Sequence, residues 1–210
     1  MTAILESLNW RYATKKYNPL QKVSDEDIEI LKEAIKLSVS SMGLQPYRVL
    51  IIDNPELREK LKPAAFGQSA ITDASHLFIF ANEVNVGDKQ INAYLKNISE
   101  TRNVSLESLQ GFSNSMHGFV DKLSDDAKEN WSRKQAYIAL ATLINTAAFL
   151  KIDATPMEGF DANKFNEILE LDKHGLNTAV IATIGYRHEQ DPAQHYKKVR
   201  KSNEELFINL

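Results

Sequence analysis

The chain of 210 residues contains no cysteine. That absence excludes disulfides, thiolate metal sites and a cysteine nucleophile, and it fits a reducing compartment. Long hydrophobic runs are missing too. The longest, QAYIALATLINTAAFL at 135–150, is too short to cross a bilayer and is interrupted by Thr142, Asn145 and Thr146. The opening stretch, MTAILESLNWRYATKKY, carries Glu6 early and lacks the apolar core of a signal peptide, so the expected location is cytoplasmic. Nor is there an excess of one charge. With 25 basic and 28 acidic residues the net charge is −3, which predicts neither nucleic-acid binding nor membrane attachment.

The strong catalytic signatures are also absent. There is no GxGxxG, no GxxxxGK[ST], no HExxH and no GxSxG. The dinucleotide fingerprint, the common ATP cradle, a zinc protease helix and an activated serine therefore lack support. The only close pair among His76, His117, His174, His188 and His195 is His188 with His195, in a polar tail. A surface pair is the expected reading there, and no metal site is predicted. His76, at the start of an apolar strand, reads as a satisfied core histidine.

What is present reads as one α+β domain over 1–210, with no repeat, linker or low-complexity tract. Ser24, with Asp27 three residues on, resembles a capping box, and Ile28, Leu31 and Ile35 then share a helical face. YRVLIID at 47–53, HLFIFAN at 76–82 and TAVIATIGYR at 178–187 read as strands. Asn54-Pro55 starts a helix to about residue 61. Residues 86–123 read as helical with a turn near Asn103, and 124–151 as one long helix, apolar nearly all round in its second half. Such a helix needs burial on every side, at the centre and partly against a second subunit. ATPMEGFD, at 154–161, reads as a loop between helices, but a plain link needs no Glu158 and Gly159. DANKFNEILEL follows as a helix.

Three polar clusters stand out: RYATKKY with Arg11, Lys15 and Lys16; SSMGLQPY with Ser40, Ser41 and Gln45; and YKKVRKS with Lys197, Lys198, Arg200 and Lys201. Cations from distant segments can converge on one phosphate. Each cluster taken singly also fits a solvated surface, and spacing alone does not bring them together.

In order along the chain, RYATKKY, SSMGLQPY, ITDASHLFIFA, KQAYIALATLINTAAFLKIDATPMEGFD and KKVRKS resemble segments of the nitroreductase family. The resemblance implies a nitroreductase-like α+β fold: a mixed, mainly antiparallel sheet flanked by helices, in an intertwined homodimer with a long central helix. It implies non-covalent FMN at the dimer interface and NADPH or NADH as electron donor. Arg11, Tyr12, Ala13, Lys15, Lys198 and Arg200 would lie about the flavin phosphate and polar edge. Gln68, Pro156 and Met157 would approach the ring, and Val39, Ser40, Ser41 and Gly43 would reach over from the other subunit. Glu158 and Gly159 would place backbone N–H groups beside flavin N5. Phe112 fits a substrate opening or the core; Phe119 reads as core. The chain departs from the family pattern at Ala13, Gly43, Tyr47 and Ala70. The implied activity is hydride transfer from NAD(P)H to an electron-poor nitroaromatic or quinone by a ping-pong route. A flavin or pteridine reductase and a C=C dehydrogenase are the rivals of the same fold. A helical interaction protein with plain basic surfaces is the non-enzyme alternative.

Overall fold

The computed structural model describes residues 2–210. In chain order the helices are α1 (Ala3–Trp10), α2 (Asp25–Lys36), α3 (Pro55–Leu61), α4 (Ala70–Asp73), α5 (Asp88–Arg102), α6 (Gln110–Val120), α7 (Asp125–Phe149), α8 (Ala162–Ile168) and α9 (Asn203–Leu206). The strands are β1 (Tyr47–Ile52), β2 (His76–Glu83), β3 (Asp153–Met157) and β4 (Leu176–Gly185). They form one sheet in the order β1-β2-β4-β3. The expected antiparallel character holds, and all three pairings are antiparallel.

Local signals explain the helix starts. The Ser24 hydroxyl accepts the Asp27 N–H at 3.1 Å and donates to the Asp27 carboxylate at 2.8 Å. Asn54 caps α3 through the Leu57 N–H at 2.9 Å, with Pro55 supplying the preset first φ. Asn103 ends α5 in the left-handed region, φ 53°, where the turn was expected.

The two central strands alternate between faces, as a period of two requires. Phe78 and Phe80 of β2, with Val180, Ala182 and Ile184 of β4, join α2 and α7 in one core. Leu77, Ile79 and Ile181 point the other way, toward Leu61 and Phe165 of α3 and α8. With helices on both faces the central strands read as continuous apolar runs rather than alternating ones. Burying each large side chain there contributes about 1.5–3 kcal/mol. A satellite cluster joins α5 and α6 through Ile91, Leu95, Met116 and Val120.

Helix α7 is not buried all round within the chain. Ala136, Ala139, Leu140, Leu143 and Ala147 are covered, while Ile138, Ala141, Asn145 and Phe149 form an exposed stripe. No helix among the described residues is long and apolar enough to cross a membrane.

One expectation is corrected. The first half of ATPMEGFD is not loop but β3, an edge strand paired with β4 from Asp153–Gly185 to Met157–Ile181. Pro156 is tolerated because an edge strand has one side without ladder bonds. The loop begins at Glu158.

Candidate functional site

Segment 11–18 is laid against the sheet by buried contacts. The Tyr17 hydroxyl donates to Thr155 Oγ1 and to the Thr183 carbonyl, both at 3.0 Å. Its ring packs so tightly on β4 that a Cβ at Gly185 would sit 3.0 Å from it. Thr14 donates to Asp153 at 3.1 Å. Asp153 also takes the Arg187 guanidinium on both carboxylate oxygens, at 2.7 and 3.0 Å. Arg187 in turn lies between the rings of Trp10 and Tyr12, at 4.2 and 4.6 Å from their centroids.

The tail is tied to the same place by Asp191. Its carboxylate accepts the N–H groups of Lys15, Lys16 and Ala193 and the Tyr12 hydroxyl at 2.8–3.1 Å. Burial works against its ionisation, but these four donors outweigh burial and hold its carboxyl below the ordinary value. Burial and the bond to Asp191 push the Tyr12 hydroxyl up to about 12.

These anchors bring the two chain ends together around a cleft of about 370 Å³ lined by Arg11, Tyr12, Ala13, Gln194, Lys198 and Arg200, among others, with no carboxylate in its wall. Lys198 Nζ donates to the Leu8 carbonyl at 2.9 Å and to the Arg11 carbonyl. Arg11 Nε is buried and has no hydrogen-bond partner among the described residues. Burial, and then Arg200 beside it, lower the Arg11 value; burial, Arg11 and Arg200 lower that of Lys198. Three cations that repel one another around an unsatisfied donor fit a di-anionic phosphate. Lys15 does not line this cleft; its backbone N–H serves Asp191 and its side chain is exposed.

A second group forms at the far end of β3. The Gln68 amide donates to the Gly159 carbonyl at 2.7 Å and to the Ala65 carbonyl at 3.0 Å. Its loop is shaped by two left-handed residues, Phe66 and Gly67. The following turn is held by Arg58, whose guanidinium donates to the carbonyls of Ile71, Ala74 and Ser75. Pro156, Met157 and Glu158, with Tyr137, Leu140, Ala141, Ile144 and Val180, line an open, mainly apolar cleft of about 520 Å³. Neither the Glu158 nor the Gly159 N–H donates to an acceptor among the described residues. A Cβ at Gly159 would meet only the Gln68 amide, at an ordinary 3.7 Å, so the chain's own packing does not demand glycine there. The side it leaves open is the solvent side.

The 39–43 loop lines neither cleft. Val39 is exposed; the Ser40 hydroxyl accepts the Gln45 N–H, and the Ser41 N–H donates to Gln135. Met42, Gly43 and Gln45 all have positive φ. Gly43 is explained locally, because the Tyr94 hydroxyl lies 2.1 Å from where its Cβ would stand. Phe112 is exposed on one side and meets Tyr94 edge-on at 6.5 Å, a rim position rather than a core one. Phe119 is corrected likewise: it is 41% exposed and rests edge-on against Trp131. Ala70 is buried against Tyr17 and Ala74. His76 is half-buried and bonded to the Ser75 hydroxyl through Nδ1 at 2.9 Å; burial lowers its value.

Sequence reasoning missed Asp153, Arg187, Asp191 and Tyr137. Each acts through a partner at least 21 positions away, and no local pattern announces such a pair.

Residues 8–186 match the Nitroreductase family. A Staphylococcus haemolyticus protein named as a candidate NAD(P)H nitroreductase is 34% identical over 212 residues, covering 97% of this chain and 95% of its own. A Bacillus subtilis candidate nitroreductase of known structure superposes with a TM-score of 0.88 at 19% identity, over 98% of both chains. A candidate nitroreductase from Exiguobacterium sibiricum, solved in complex with FMN, gives 0.85 at 20% identity, covering 100% of this chain and 98% of its own. At such identities the structural likeness speaks for the fold. With the sequence matches, the chain belongs to the nitroreductase family.

Proposed function

We propose that this chain is an NAD(P)H-dependent FMN oxidoreductase, a single flavin-binding unit over 1–210 that works as a cytoplasmic homodimer. The observation that carries the reading is the cleft where Arg11, Lys198 and Arg200 meet without a carboxylate, beside an orphaned buried guanidinium N–H. Those three side chains would hold the phosphate, and the free N–H groups of Glu158 and Gly159 would serve the ring. When bound, the flavin supplies the hydride chemistry that no side chain here provides.

The chain's own part is binding, orientation and charge. The cation cluster favours an anionic guest. The edge strand β3 joins the two clefts, with Asp153 at one end and Glu158 just beyond the other. Fixed backbone donors at an open apolar wall stabilise charge that grows during reaction without reorganising. Holding donor and acceptor in contact lowers the barrier by orientation. One open face used in turn by NADPH or NADH and by an electron-poor nitroaromatic or quinone gives ping-pong kinetics.

The dimer is supported by the exposed stripe of Ile138, Ala141 and Phe149 on α7 and by the 39–43 loop, whose exposed Val39 leads into two positive-φ residues, Met42 and Gly43. A second protomer would cover both. The test is direct: the purified protein should be yellow, bind FMN one per chain, and bleach with NADPH or NADH. A colourless protein that does not quench FMN fluorescence would end this reading and favour the plain interaction protein.

A further inference from the structure

We propose that Tyr137 is a positioning residue, whose hydroxyl locks the Glu158 side chain so that the Glu158–Gly159 N–H groups stay aimed into the open cleft. The inference rests on the reading above.

The Tyr137 hydroxyl donates to Glu158 Oε1 at 2.5 Å. That is the length of a charge-assisted O–H···O⁻ bond, stronger than a neutral one. It is the only hydrogen bond to the Glu158 side chain among the described residues. Glu158 is exposed, so without this bond no other hydrogen bond among the described residues restrains its carboxylate. The rest of the loop is already engaged. The Gly159 carbonyl accepts from Gln68, the Glu158 carbonyl from the Phe160 N–H at 3.0 Å, and the Ala64 carbonyl takes the Asp161 N–H at 2.7 Å. Tyr137 therefore closes the last free side of a loop otherwise held from the turn between α3 and α4.

Its own placement is rigid. Tyr137 stands on α7 in line with Leu140, Ala141 and Ile144, the stripe that walls the apolar cleft. Sites carried on a packed helix hold their geometry better than sites on loops. Burial, and then the bond to Glu158, push the Tyr137 hydroxyl up to about 12, so it remains a donor throughout the neutral range.

The test compares wild type, Tyr137→Phe, Glu158→Ala, Glu158→Gln and the double variant Tyr137→Phe/Glu158→Ala. In cofactor-free protein, amide hydrogen exchange at Phe160 and Asp161, whose N–H groups are bonded, should quicken at least about tenfold in Tyr137→Phe, with other segments unchanged. With FMN bound, the limiting rate of flavin reduction should fall about tenfold while the KM for the nicotinamide holds. Glu158→Ala should match Tyr137→Phe, the double variant should be no worse than either, and Glu158→Gln should retain most of the rate because its amide oxygen still accepts. Unchanged exchange and unchanged reduction in Tyr137→Phe would overturn the inference, as would effects that add in the double variant. Wild type that binds no FMN would overturn the functional reading itself, a result read separately and first.

Discussion

Asp153 holds Arg187 through both of its carboxylate oxygens, 34 positions apart in sequence, with the carboxylate almost wholly buried. Thr14 satisfies Asp153 further, and the Arg187 N–H adds a backbone bond at 2.8 Å. Breaking a buried, hydrogen-bonded pair from one side leaves a charge without compensation. Asp153→Ala is expected to lower unfolding free energy by about 3–5 kcal/mol, read from urea denaturation. A loss under about 1 kcal/mol would show the pair to be solvated like a surface bridge.

The anion cleft gives the next expectation. Arg200→Ala and Arg11→Ala should each weaken FMN binding by roughly tenfold to hundredfold, since a hydrogen bond to a charged group contributes about 1.5–3 kcal/mol. Fluorescence titration measures it, and raising the salt concentration should shrink the gap between wild type and variant. A mutant that keeps its full flavin after dialysis would place the phosphate elsewhere.

Asp191 sets an acid limit. Its folded value lies below the ordinary one, so the carboxylate stabilises the fold above the unfolded value of about 3.9. That contribution is lost as the pH falls below that point through the depressed folded value. Asp191→Asn should therefore narrow its stability gap from wild type as the pH falls below about 4, and should show its full deficit at neutral pH. A constant gap across that window would mean that Asp191 does not titrate differently in the two states.

Gly43 and Tyr94 should be coupled. Gly43→Ala must accept φ +73° and displace the Tyr94 hydroxyl, for a combined cost of about 1–3 kcal/mol. In a Tyr94→Ala background the steric part disappears and about 1 kcal/mol of backbone cost remains. Additive losses would show that the hydroxyl moves aside freely.

The exposed α7 stripe makes the oligomer testable. Ile138→Glu should shift light scattering from dimer toward monomer, because a buried charge without a partner opposes association. An unchanged mass would move the interface elsewhere.

How much was legible follows from range. Ser24, Asn54 and Asn103 carry their signals within a few residues, and the first two helices start, and the third stops, where those residues stand. β2 and β4 announced themselves as apolar runs. β3 did not, because Pro156 and the small Ala154 and Thr155 imitate a turn, and only pairing with β4 reveals the strand. At the site, Arg11, Lys198 and Arg200 were recognised through the order of motifs along the chain. Their meeting depends on Asp191 and Tyr17, which no spacing relates to them. Phe119 was misread because an aromatic on a helix looks the same in sequence whether it faces a core or a rim. The exposed stripe of α7 was legible as apolar, and a second subunit was the expected cover.

Lys198 and Arg200 come after all four strands in the chain. Two of the three cleft cations therefore ride on a tail that the sheet does not need: proteolysis beyond Tyr196 would strip away the hold on an anion and leave all four strands paired.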